Sequence, residues 1–327
     1  VATARVESTF MSQLALPPGL RADLERVEAI IGARVATRAA VLQLAGQHIQ
    51  PQGQTRLRAA LTLAAAQLGR YDLADVQHAA AAVELIFSAT RVHDDLIDAA
   101  EQRRGQAAER RWDGDVALMV GDYLFALAAA EMALAPDPRI IAYFSHAVMQ
   151  ICEAQLTPVQ VAAPLEEARG QYLAYAGYKT AALVEAGCKA GVVCGGGTPE
   201  QVEALGRFGQ ALGMAVQIAD DVRDLRPGAD GRGGGGALRQ GRITLPLIYA
   251  ADASADPLLA AAVEEPADSG RLQAALQIIR RSGAAERAAA DARRYAEQAL
   301  AALEPFPDTP ARQLLRNMAL AEAERVA

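Results

Sequence analysis

Apolar residues recur at alternating three- and four-residue steps through almost the whole chain, and that pattern leaves little room for anything but helices. The stretches 20–48, 55–69, 72–99, 115–134, 138–155, 166–194, 198–224, 244–252, 270–281, 284–303 and 308–326 each carry it. Between them stand Pro17-Pro18, Pro51, Pro136, Pro164, the Gly195–Gly197 run, Pro227 and the run from Pro305 to Pro310, residues that end helices. Thr198 before Pro199 and Glu200 reads as an N-cap with proline in the first turn. Aromatics are only 5% of the residues and β-branched runs are short, so propensity agrees with periodicity. The expectation is an all-α fold. No long polar linker divides the chain, so residues 1–327 read as one large helical domain, with 1–20 as a flexible N-terminal segment.

Several function classes drop out on composition. A formal charge of −7 is the wrong sign for a nucleic-acid partner, which calls for a basic face. No strand–turn–helix unit is present to carry a dinucleotide or P-loop site. The glycine-rich Gly231–Gly236 stretch lacks the preceding strand and the terminal GK[ST], and reads as a surface loop or a mobile lid. Cys152, Cys188 and Cys194 form no metal-ligand spacing and read as reduced packing residues. No basic-then-apolar leader begins the sequence, and no window reaches the ~18 apolar residues of a membrane span. A cytoplasmic protein without a transmembrane segment is expected. Lysine occurs only at Lys179 and Lys189, with arginine supplying the other positive charge.

The chemistry concentrates in two acidic helix segments. The first is Val92-His93-Asp94-Asp95-Leu96-Ile97-Asp98, followed by Arg103-Arg104-Gly105. Asp94 and Asp98 lie one turn apart on one helix face, with Asp95 beside them. Three carboxylates this close repel unless a cation joins them, and hard oxygen ligands with room for water and phosphate suit Mg²⁺. The trailing arginines offer the planar donors that diphosphate oxygens prefer. Alone, such a motif is most often a solvated surface. A second copy, Gln217-Ile218-Ala219-Asp220-Asp221-Val222-Arg223-Asp224, has the same spacing in an otherwise apolar helix, where unpaired charge is costly. Two such segments read as holders of Mg²⁺ ions that in turn hold a diphosphate. His93, Trp112 and Met119 read as packing or core residues.

With Val120-Gly121-Asp122-Tyr123, Lys179-Thr180 and Gly241-Arg242-Ile243-Thr244-Leu245-Pro246 added in order, the chain resembles the trans-prenyltransferases, the polyprenyl diphosphate synthases of the class I isoprenoid synthase fold. The resemblance covers about residues 50–250. It implies a single helical bundle around a deep central cavity, three Mg²⁺ ions and a homodimer. It implies Mg²⁺ and allylic diphosphate on Asp94, Asp95 and Asp98, with Arg103 on the same diphosphate, and the rest of the metal set on Asp220, Asp221 and Asp224. Arg104, Arg56 and Arg58 fall at positions that hold isopentenyl diphosphate. Lys179 would neutralise the leaving diphosphate, and Thr180 and Gln217 would line the path of the allylic cation. Arg232 and Arg242 stand where the family places lysines, keeping the charge. The implied reaction condenses an allylic diphosphate with isopentenyl diphosphate.

The departures are specific. A Gly-Lys-Arg-x-Arg-Pro segment is replaced by Gln54-Thr55-Arg56-Leu57-Arg58-Ala59, a histidine by Phe87, and a phenylalanine by Val216. Loss of a cation and a polar ligand should weaken diphosphate binding by about 2–4 kcal/mol. Three readings follow: continued elongation with Arg56, Arg58 and Arg104 sharing the charge, a different acceptor or a cyclase-like reaction, or a regulatory role in a hetero-oligomer. A helical nucleotide pyrophosphohydrolase fits the aspartate-only motifs less well. Small residues at Ala89 and Thr90, one turn before Asp94, leave passage for a product of about C20 or longer, with Ile86 and Val83 deeper.

Overall fold

The computed structural model describes residues 16–36, 56–102, 114–157, 159–161, 164–226, 234–266 and 268–326, with only the backbone described at 95–102 and 114–115. No strand occurs among the described residues, as the periodicity requires. In chain order the helices are α1 (Pro18–Val35), α2 (Leu57–Ala66), α3 (Leu73–Gln102), α4 (Gly114–Met132), α5 (Arg139–Leu156) and α6 (Leu165–Ala176). A π-helical turn (Gly177–Ala181) then leads into α7 (Ala182–Cys194), followed by α8 (Pro199–Asp224), α9 (Gly236–Arg239) and α10 (Leu245–Ser254). The chain finishes with α11 (Pro257–Glu264), α12 (Ser269–Arg281), α13 (Ala284–Ala302) and α14 (Pro310–Glu324).

Two of these helices are absent from the periodicity reading. α9 is a single turn, and α11 is too short to establish a period, although Asp256 as N-cap and Pro257 at the first turn are its start signals. The segment 1–20 is corrected at its end: α1 begins at Pro18, and Leu16 and Leu20 are buried. Thr198 caps α8 as expected, its hydroxyl accepting from the Gln201 amide while the Gln201 side chain accepts from Thr198 N–H.

The described residues group into two compact units. One draws on Val1–Met149, Leu183–Gly209 and Leu300–Met318, the other on Gln150–Ala182, Gln210–Ala299 and Ala319–Ala327.

In the first unit α3 packs against α1, α2 and α4. α2 is buried along its whole length because its faces carry mostly alanine and leucine. Alanine lets helices come close, and glycine closer still. A Cβ at Gly191 would stand 2.2 Å from Thr62 O, and one at Gly195 2.6 Å from Ala66 O. Together with Gly187 these form an every-fourth-residue line running along α7 to the residue just past its end, and α2 lies along it.

Charge is taken into this unit in matched sets. Glu131, fully buried, accepts from Arg34 Nε and lies 2.7 Å from His78 Nδ1. Arg56, 6% exposed, donates through Nε and Nη2 to both oxygens of Glu28, and its Nη1 lies 3.8 Å from Glu84. Glu84 also accepts from the Ala59 amide at 2.9 Å, which ties the start of α2 to α3.

In the second unit α10 packs on α6, α11 and α12 around a core that includes Leu245, Ile248, Leu272, Leu276 and Ile279. Thr244 and Pro246 set the start of α10, so the turn at 241–246 has a structural task as well.

Cys188 and Cys194 are buried, but Cys152 is exposed, contrary to the packing role expected of it. Met119, expected in the core, is 65% exposed: it and Leu118 fall on the outer face of α4.

Candidate active site

Trp112, Arg103, Arg104 and Arg232 lie outside the described residues, as do the side chains of Asp95 and Asp98. Of the first motif, Asp94 is half-buried near the C-terminal end of α3.

The helix that presents Asp94 is seated by its neighbour His93. Its ring lies over Gly121 of α4 so closely that a Cβ there would stand 2.0 Å from Nε2. The same nitrogen is 3.2 Å from Leu118 O and 3.7 Å from Asp122, and the ring tilts against Phe125 at 5.7 Å. The glycine of the Val120-Gly121-Asp122-Tyr123 block is therefore a packing requirement. His93 serves helix docking, as its sequence position suggested.

The second motif is described in full, and each aspartate has a different environment. Asp220 pairs with Arg325 Nη2 at 2.5 Å, and Arg325 also reaches Glu322 of α14. Asp224 ends α8 and accepts 2.9 Å hydrogen bonds from the Gly236 and Ala237 amides, one on each oxygen, so it caps α9.

Asp221 is the unusual one. It is buried, with Tyr172 OH donating to Oδ2 at 2.6 Å and Gln217 Nε2 to Oδ1 at 3.0 Å. Burial pushes its pKa up to about 7; the Tyr172 and Gln217 hydrogen bonds oppose this, Asp220 adds repulsion, and Arg242 draws it back.

The hydrogen bonding continues past Gln217, whose Oε1 accepts from the Thr180 hydroxyl at 2.6 Å. The line Thr180–Gln217–Asp221–Tyr172 thus ties the continuous α6 and π-helical stretch to α8, about forty residues on in sequence. Thr180 and Lys179 occupy the π-helical turn, where one residue per turn is added and side chains are re-aimed. Gly213 makes room for that turn: a Cβ there would lie 2.5 Å from Ala181 Cα. Lys179 sits 5.7 Å from the Tyr175 ring. Tyr172 is invisible to motif reading. It is one of many apolar-looking positions on α6, and only its buried hydroxyl, which needs a partner, could have raised it.

Arg242 is exposed, and its side chain bonds the neighbouring Gln240. The described end of the glycine stretch is neither surface loop nor lid. Gly234 and Gly235 are buried, Gly235 at φ +93°, and a Cβ on Gly234 would stand 2.4 Å from Arg226 O. Arg58 stacks on Phe87, its guanidinium carbon 3.3 Å from the ring centroid. Ala89, Ile86 and Val83 are fully buried, while Thr90 is half-buried and donates to Phe87 O.

Among the described residues no group of three or more His, Cys, Asp or Glu is close enough to hold a metal ion. The donor chemistry of the second motif nevertheless fits a hard divalent cation. Asp220 and Asp221 are adjacent carboxylates that repel each other; Asp220 is paired with Arg325, while the hydrogen bonds to buried Asp221 come from neutral groups. No described helix is long and apolar enough to cross a membrane.

Comparison with known proteins identifies the family. Residues 39–279 match the polyprenyl synthetase family. The heptaprenyl diphosphate synthase component 2 of Geobacillus stearothermophilus is 34% identical over 301 residues, 91% of this chain and 94% of its own length. The nonaprenyl diphosphate synthase of Mycobacterium tuberculosis is 33% identical, covering 90% of each chain. The crystal structure of a polyprenyl synthase from Caulobacter crescentus, complexed with calcium and isoprenyl diphosphate, superposes with a TM-score of 0.84 at 32% identity. That match covers 93% of this chain and 95% of the other. On this extent of likeness, the chain belongs to the polyprenyl synthetase family of trans-prenyltransferase enzymes, with the class I isoprenoid synthase fold.

Proposed function

We propose that this chain condenses an allylic diphosphate with isopentenyl diphosphate in a Mg²⁺-dependent reaction, giving a polyprenyl diphosphate of about C20 or longer. The observation that carries the reading is the line Thr180–Gln217–Asp221–Tyr172, in which a metal-ligand candidate and two neutral dipoles share one network. The reading takes residues 1–327 as one domain and assigns Mg²⁺, three ions in all, to Asp94, Asp95, Asp98, Asp220, Asp221 and Asp224. Bound Mg²⁺ would supply Lewis-acid stabilisation of charge on the departing diphosphate.

The protein's own groups do the rest. Arg103, Lys179, Arg232 and Arg242 bind the diphosphate and take up its developing charge. The allylic C–O bond breaks with its electron pair on the diphosphate. The isopentenyl double bond then attacks the allylic carbon to form the C–C bond, and a proton leaves to the released diphosphate. Thr180 and Gln217 face the cation with oxygen dipoles but hold no nucleophile strong enough to trap it. Arg58 and Arg104 hold isopentenyl diphosphate. Arg56, the third arginine assigned there, is engaged by Glu28 and Glu84, so its contribution is to fix the start of α2 beside Arg58.

The product passes Thr90, the half-buried member of the Ala89-Thr90 pair. Exposed Leu118 and Met119 on α4, with Ile141 and Met149 on α5, support a homodimer. A cytoplasmic location fits substrates of this charge.

Incubation with Mg²⁺, isopentenyl diphosphate and each of geranyl and farnesyl diphosphate, followed by product analysis, tests reaction and length together. Absence of any elongated product would sink the reading. A second reading rests on the Geobacillus stearothermophilus relative, which is component 2 of a heptaprenyl diphosphate synthase: this chain would then need another component. Turnover by the purified chain alone would remove that alternative.

A further inference from the structure

Asp220 differs from Asp221 and Asp224 in being held by an arginine of the chain itself. Its Oδ1 accepts from Arg325 Nη2 at 2.5 Å, and the two side chains are only 18% and 10% exposed, so water does little to loosen the pair. Arg325 stands just past α14 and belongs to the same compact unit as Asp220. Its backbone is fixed: the Arg325 amide donates to Ala321 O at 3.1 Å, and Val326 beyond it is buried in the core of that unit. The side chain is the part left to move.

A second seat for the guanidinium is within reach. Nη1 already donates to Glu322 Oε2, one turn back. Glu322 is fully buried, and its other oxygen, Oε1, has no hydrogen-bond partner among the described residues. A buried acceptor left in that state costs stability, and a planar fork turned onto Glu322 would satisfy both oxygens. Arg223 faces the same group from α8, where burial and the Arg325 charge lower its pKa. A dication joining two guanidiniums adds repulsion that pushes Arg325 in the same direction.

We propose that Arg325 is a positioning residue that competes with Mg²⁺ for Asp220: it holds the carboxylate in the metal-free chain and yields it by turning onto Glu322. This rests on the proposed function only in taking Asp220 as a Mg²⁺ ligand. Mg²⁺ affinity at the second motif is then set in part by Arg325 and Glu322, which ligate nothing. Arg325 also keeps Asp220 in place against the repulsion of Asp221 while no metal is bound.

Calorimetric titration of the full chain with Mg²⁺ alone is the test. Arg325→Gln should bind Mg²⁺ about tenfold more tightly, because a charge-assisted hydrogen bond no longer has to be broken. Arg325→Lys keeps a competing cation and should stay near the wild type. Glu322→Gln removes the second seat and should weaken binding several-fold. A merely structural role would move both variants the same way, toward weaker binding. In the Asp220→Asn background Arg325→Gln should have no effect, since nothing is left to compete for. Circular dichroism checks that each variant keeps its helices. Arg325→Gln that binds Mg²⁺ no more tightly than the wild type overturns the proposal, as does a lack of Mg²⁺ binding by both. If Arg325→Gln fails to fold, Glu322→Gln decides, and binding as tight as the wild type overturns the proposal. Opposite shifts in the two variants with no elongated product from the wild type leave the competition standing and defeat the proposed reaction. Elongation by the wild type with unchanged Mg²⁺ affinity in Arg325→Gln does the reverse.

Discussion

Glu131 in the first unit and Asp221 in the second are both buried carboxylates, yet they are buried on opposite terms. Glu131 is held by Arg34 and His78, and Glu84 nearby faces Arg56 and an amide. Asp221 receives hydrogen bonds from a tyrosine and a glutamine, feels a neighbouring aspartate, and has its pKa pushed up to about 7. A buried carboxylate with a built-in cation is finished, and its work is to hold helices together. One supported by neutral donors is oriented and incompletely compensated. That is the state which the proposed function requires of a metal ligand.

The largest effect that could break this contrast is on stability. Glu131→Ala should cost about 2–3 kcal/mol, because it removes the buried acceptor of Arg34 and His78, while solvent takes up part of the charge of half-exposed Arg34. Denaturant unfolding measures it, and the Mg²⁺ dependence of the remaining turnover should not change. A loss below about 1 kcal/mol would mean the cluster is not structural.

Asp221→Asn should behave in reverse. Under the proposed function it removes a metal ligand, and turnover should fall at least about a hundredfold. Unfolding stability should be unchanged or slightly higher, since burial of a carboxylate is relieved. If the variant instead unfolds while its turnover per folded molecule persists, Asp221 belongs with Glu131.

Tyr172→Phe sharpens the same point with a smaller effect. Groups that orient a metal ligand are typically worth about ten- to a hundredfold in metal affinity. The Mg²⁺ concentration for half-maximal turnover should rise accordingly, with kcat at saturating Mg²⁺ much less affected.

The smallest expected effect lies inside the second motif. Asp224 already accepts a backbone N–H on each oxygen, so Asp224→Asn should cost about 1 kcal/mol of stability as a weakened cap. Its turnover should fall less than that of Asp221→Asn. An equal fall would place Asp224 on the same footing as its neighbours.

Much of the fold was legible along the chain because helix periodicity is local. The two acidic motifs and the Lys179-Thr180 block stood out because residue type and spacing mark them. Cys152 and Met119 went the other way: an apolar residue on an amphipathic helix looks like core until the neighbours are known. Gly234 and Gly235 looked like a loop because glycine permits one, whereas here they let the chain pass tightly over the end of α8.

The sequence by itself determined the helices, the chemistry available to them and the family. Those follow from propensity, spacing and residue type, which act within one turn. Tertiary structure decided which charges are already compensated and which are only oriented, and that depends on partners many residues away: Glu28 for Arg56 and Arg325 for Asp220, against the neutral Tyr172 hydroxyl for Asp221. It also decided that Arg58 stacks on Phe87. Read alone, Phe87 is a lost ligand; against Arg58 it is a platform, because only packing reveals what a ring's face covers.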